Sequence, residues 1–139
     1  MRSMLRLTLV TTLMLMGCAN VSALTYNPNS DVHCHALAVY FQRHAIGDLN
    51  RQGKIDPGIF STIVVSEWYR AKWLEQADEQ IEMTIVKPLY EKIGSDFEAS
   101  KRAWVGCSDR ATNNQAFESY ARALTSKMKE DAWWKSLSR

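Results

Sequence analysis

Residues 57–89 read PGIFSTIVVSEWYRAKWLEQADEQIEMTIVKPL, and the spacing of their apolar positions decides the fold class. Phe60, Ile63, Val64, Ala71, Leu74, Ile81, Ile85 and Leu89 recur at helical intervals and form a main stripe. Val65, Tyr69 and Trp73 form a second apolar stripe on the opposite side. A helix apolar on two sides is usually central to a bundle; the competing reading of the second stripe is a binding surface. Pro57 suits the first turn of such a helix. Pro88 should kink or break the segment, unless it lies in the first turn of a new helix.

Glu67 falls in the middle of the main stripe, where a carboxylate costs several kcal/mol unless it is paired. Arg70, three residues on, could reach it, as could a histidine of the preceding helix. Two roles stay open for Glu67. One is an ion pair between helices, and the other is a polar anchor or acid–base group in a pocket.

Outward from this segment the pattern stays helical. Before it, Ser30 or Asp31 can cap a helix reaching to about Ile46, with Cys34, Leu37, Ala38, Phe41 and Ala45 on one face. Gly47 to Pro57, with Asn50, Gly53 and Asp56, reads as a loop. After it, Gly94 is a stop, and Ser95-Asp96-Phe97-Glu98 has the form of a capping box. The following helix should carry Phe97 and Trp104 inward, with Cys107 on the flank of that face. Asn113-Asn114 supplies a turn. A last helix presents Phe117, Tyr120, Ala121, Leu124, Met128 and Trp134 on one side. Trp133 points the opposite way, over Leu137, and is a candidate contact for a partner or a membrane surface. No alternating strand pattern bounded by turns appears. The expectation is all-α: an up-and-down bundle of four or five helices in a single domain over residues 24–139.

The amino terminus reads as an export signal. Arg2 and Arg6 precede an uncharged run from Leu7 to Met16, followed by Gly17-Cys18-Ala19-Asn20-Val21-Ser22-Ala23. The run is too short to span a bilayer, which needs ~20 apolar residues. Two exits overlap. Val21-Ser22-Ala23 fits an ordinary signal peptidase, making residues 1–23 the signal and Leu24 the first mature residue. Leu15-Met16-Gly17-Cys18 resembles a lipobox, which would make residues 1–17 the signal, lipidate Cys18 and imply an outer-membrane lipid anchor. Either exit places the chain in the bacterial envelope, periplasmic or secreted by the first and an outer-membrane lipoprotein by the second.

Export changes the charge argument. Arg2 and Arg6 account for two of the 17 lysines and arginines, which leaves 15 against 15 acids. A neutral chain lacks the electrostatic footprint that holds phosphate backbones, so nucleic acid is not an expected partner. The compartment is oxidising, and Cys34 and Cys107 remain as an even pair. They are the expected disulfide, tying the first helix to the segment around Trp104.

No metal site is expected. In His33-Cys34-His35 the imidazoles are two apart on a helix and diverge, while His33 and His44 are ~16 Å apart along the axis. Zinc needs ligands ~2.0–2.3 Å from one point. Only Met83 and Met128 follow the signal, too few for a methionine-rich copper site. No cofactor motif, nucleophile elbow or phosphate loop is present in the sequence. The composition suits a non-catalytic envelope protein that binds a protein or envelope ligand through aromatic surface, its sharper form being an inhibitor or immunity protein. Glu67, Arg70, Tyr69, Trp73, Trp133 and Leu137 are the candidate binding residues. The different-class alternative is an envelope enzyme with Glu67 as its general acid or base.

Overall fold

A computed structural model describes residues 25–137, apart from the side chains of Trp133 and Leu137. The export signal and Cys18 lie outside the described residues. Among these residues every regular element is helical, and no helix is long and apolar enough to cross a membrane.

Helix α1 spans Asp31–Gln52. Ser30 caps it, its hydroxyl accepting from the His33 N–H at 3.3 Å. The helix does not stop near Ile46; it runs six residues further than its sequence suggests. Leu49, fully buried with Ile59 and Ile63, draws that last turn onto the core, and such burial outweighs the ~1 kcal/mol that Gly47 costs a helix. Gly53, at φ 67°, ends α1 in the left-handed conformation and donates its N–H to the Leu49 carbonyl.

Helix α2 covers Pro57–Gln76 and starts as its sequence predicts, with Pro57 in the first turn and Asp56 accepting from the Ile59 N–H at 2.8 Å. It ends at Gln76 rather than running on towards Leu89. Asp78 caps a new start, accepting from the Ile81 N–H at 3.0 Å. There α3 (Glu79–Ile81) leads through a π-helical stretch, Glu82–Val86, into α4 (Lys87–Lys92). Pro88 thus sits in the first turn of α4. Its ring would crowd the carbonyl four residues back in a regular helix, and the wider π turn ahead of it gives that carbonyl room.

A 3₁₀ turn, Ile93–Ser95, connects to α5 (Phe97–Thr112). The capping box does not form: the Ser95 hydroxyl donates to the Lys92 carbonyl instead, and Asp96 occupies the cap position. Phe97, expected inward, is exposed at the edge of Phe41; Trp104 and Cys107 do point inward. A Cβ on Gly106 would meet the Pro28 ring at 2.8 Å, so a glycine there lets the entry segment lie directly on α5. Asn114 caps α6 (Gln115–Glu130), and Asp131 caps α7 (Ala132–Leu137). The chain therefore has more helical pieces than the four or five expected.

Helices α1 and α2 run antiparallel, with His35 beside Trp73 and Gln42 beside Glu67. On its other sides α2 packs against α5 and α6, so both stripes contribute to the core. Val65, Tyr69 and Trp73 are buried, as are Ile63 and Val64 of the main stripe, whereas Leu74 of that stripe is exposed. Around Val65 and Tyr69 the main core gathers Cys34, Leu37, Trp104 and Cys107.

Candidate functional site

Cys34 and Cys107 are both fully buried, with their sulfurs at bonding distance, 2.04 Å. Cys34 lies in the first turns of α1 and Cys107 on the inward face of α5, so the pair joins two elements 73 residues apart. Arg110 borders it, with Nη2 2.6 Å from Asp31 and 3.6 Å from the Cys34 sulfur. Lys72 approaches the same aspartate at 3.8 Å and lies over the Trp68 ring.

Two of the candidate binding aromatics are buried, Tyr69 in this core and Trp73 in a second cluster with Ala36, Val86 and Leu89. The Tyr69 hydroxyl donates to the Cys107 carbonyl at 2.7 Å, and its ring lies under the Arg110 guanidinium. Burial pushes the Tyr69 phenol above its usual range, with the Arg110 cation opposing. Trp73 stacks on His35, centroids 5.0 Å apart and planes within 10°. Burial, and then the Arg70 cation, push the His35 imidazole down to about 4. Tyr69 is covered by α1 and α5, and Trp73 by α1, the π-helical stretch and α4. The side chains of the other two candidates, Trp133 and Leu137, lie outside the described residues; their backbones are in α7.

Glu67 and Arg70 come together with a residue the sequence did not single out. Gln42 on α1 donates to Glu67 Oε1 at 2.6 Å, and Arg70 donates to Oε2 at 3.1 Å. Both carboxylate oxygens are therefore engaged, one across the helix pair and one within α2. Nearby, burial first and the Glu67 carboxylate second push the Tyr120 phenol up, with Arg70 opposing. The partner of Glu67 is a glutamine rather than a histidine of α1.

The histidines are spent elsewhere. His33 Nδ1 accepts from the Asn27 N–H at 3.0 Å and pins the entry segment, and His44 stacks on Tyr40. Among the described residues no group of three histidines, cysteines or carboxylates could hold a metal ion.

One concave feature with an aromatic side chain in its wall lies where α1, α2, α6 and α7 meet. Ile46, Ile63, Met128 and Trp134 wall a hollow of about 320 Å³, with Lys127 and Asp131 also lining it. Phe60 lies behind, its ring centroid 6.0 Å from that of Trp134. The sequence signals Met128 and Trp134 as inward-facing. It does not bring Ile46, Ile63 or Lys127 to them, since that requires the crossing of helices distant in the chain. No family model, curated protein or solved structure matches this chain.

Proposed function

We propose that this chain is a small exported helical protein of the cell envelope, non-catalytic, that takes an apolar group of a protein or envelope ligand into the hollow at Trp134. The reading includes an up-and-down arrangement of its helices and a periplasmic or secreted location, with the Cys18-anchored lipoprotein as the second form. An inhibitor or immunity protein is its sharper version.

The observation that carries it is the hollow itself. Three aliphatic side chains and the Trp134 ring, from four helices, form a concave wall, and one cation and one carboxylate lie beside it. Apolar concavity with few polar groups is the usual character of a ligand site. The enzymatic alternative loses ground at Glu67, whose oxygens are occupied by Gln42 and Arg70 and which lines no part of this hollow.

The test is affinity capture from the cell envelope with the wild-type mature protein and with Met128→Glu. Met128 is only half-buried, so the charge can be introduced without opening the main core. A partner retained by wild type and lost by Met128→Glu, with melting temperatures alike, supports the proposal. Equal retention by both proteins overturns it.

A further inference from the structure

Three large apolar side chains stand in water on one face of the molecule. Val39 of α1 is 42% exposed, Leu74 of α2 63% and Met83 of the π-helical stretch 55%. Two depressions meet there. One, of about 440 Å³, lies between α1 and α2 and includes Val39, Arg43, Arg70 and Leu74. The other, of about 250 Å³, lies between α1 and the π–α4 segment and includes Val39, Met83, Lys87 and Tyr90. Val39 lines both, so they are halves of one shallow trough across α1. Leu74 stands on its rim as a knob.

The trough holds three cations, Arg43, Arg70 and Lys87, and one acid, Glu82. Beyond the Leu74 knob the chain continues with three exposed acids, Glu75, Asp78 and Glu79. Existing contacts leave much of this charge to solvent. Arg43 meets the Tyr90 hydroxyl at 3.3 Å, Arg70 is paired with Glu67 while remaining exposed, and Asp78 caps α3.

We propose that this face pairs with a second copy of the same chain about a two-fold axis near Leu74. A two-fold contact requires a patch that complements itself, and this one holds both halves of the fit. The Leu74 knob of each copy enters the trough of the other, covering Val39 and Met83. The axis reverses the order of charge, so Glu75, Asp78 and Glu79 beyond Leu74 in one copy face Arg43 and Lys87 in the other. A ligand of a single charge sign would satisfy one end of the face and oppose the other. The chain's own first 24 residues, with Arg2 and Arg6 and no acid, are such a segment.

The experiment is sedimentation equilibrium of the disulfide-intact mature protein, from low micromolar to several hundred micromolar, at low and high salt. The expected result is a dimer that weakens as salt screens the paired charges. Leu74→Glu should raise the dissociation constant at least about tenfold, as loss of a central apolar anchor does, with an unchanged melting temperature because the side chain is exposed. Two further variants test the charge order: Glu75→Lys with Glu79→Lys, and Arg43→Glu with Lys87→Glu. Each should be monomeric alone, and a mixture of the two should form a heterodimer. A wild-type protein that stays monomeric throughout overturns the proposal, as does a dimer indifferent to Leu74→Glu. A mixture that remains monomeric overturns it as well.

Discussion

Gln42 on α1 and Glu67 on α2 meet through a 2.6 Å hydrogen bond, a polar tie at the middle of the helix pair. Ile46 and Ile63 flank it towards one end of the pair, and His35 and Trp73 towards the other. A carboxylate is tolerated in this stripe because both of its oxygens find donors.

Truncating that carboxylate should therefore destabilise the fold. Glu67→Ala leaves the Gln42 amide without its acceptor and is expected to cost about 1–2 kcal/mol, with Glu67→Gln costing less because one acceptor oxygen survives. Urea denaturation of the two variants beside wild type measures this. Stability unchanged in both would show that the tie contributes nothing to the pairing of α1 and α2.

The covalent link should contribute more. For a closure of 73 residues the loop-entropy model gives about 4 kcal/mol. The double variant Cys34→Ala/Cys107→Ala, which leaves no lone thiol behind, should lose stability on that scale. Non-reducing peptide mapping of the native protein should recover the two cysteines in one linked species. Alkylation of both without reductant would contradict the link.

His35 predicts an acid-side loss of stability. Its imidazole is pushed down to about 4 in the folded protein, against 6.5 when unperturbed. Above pH 6.5 the ring is neutral in both states and its contribution is fully present. As pH falls from 6.5 towards 4, the unfolded chain takes up a proton that the folded chain refuses, so stability declines. The loss is at most about 3 kcal/mol. His35→Phe keeps a ring on Trp73 and should flatten the slope of melting temperature between pH 7 and 4. His33, lowered in the same direction by burial, is left as a residual slope.

The export reading has a direct check by intact mass of the protein purified from its native envelope. A chain beginning at Leu24 is expected from the plain cut, and a diacylglyceryl-modified Cys18 from the lipoprotein route. Retention of Met1 in the envelope fraction would contradict both.

Helical periodicity made the all-α class legible, and cysteine parity with an oxidising compartment pointed to Cys34 and Cys107. Less legible was which member of the α2 stripes would stay in water. Spacing shows that Val65, Tyr69 and Trp73 share a side, but not that α1 and α5 will cover Tyr69, and α1 and α4 Trp73, while Leu74 is left exposed. The break after Gln76 also hides well, because Ala77 is a good helix former and only the Asp78 cap marks the restart. At Ser95 the local pattern misled: S-x-x-E satisfies a capping box on paper, yet the hydroxyl found the nearer Lys92 carbonyl. Half of the hollow was readable as the inward face of Met128 and Trp134. Its other half arrives from Ile46 and Ile63 by tertiary crossing, which no local signal encodes.

The Cys34–Cys107 link closes the chain into a ring, and α6 and α7 hang outside it. A protease cutting within the ring would leave two fragments still tethered. One cutting at the exposed Asn113-Asn114 turn would sever everything beyond it. That tail carries Phe117 and Tyr120, whose rings meet Trp68, and supplies Met128 and Trp134 to the hollow. Ile46 and Ile63 would stay behind on the ring. One peptide bond thus decides whether the hollow has two walls or one.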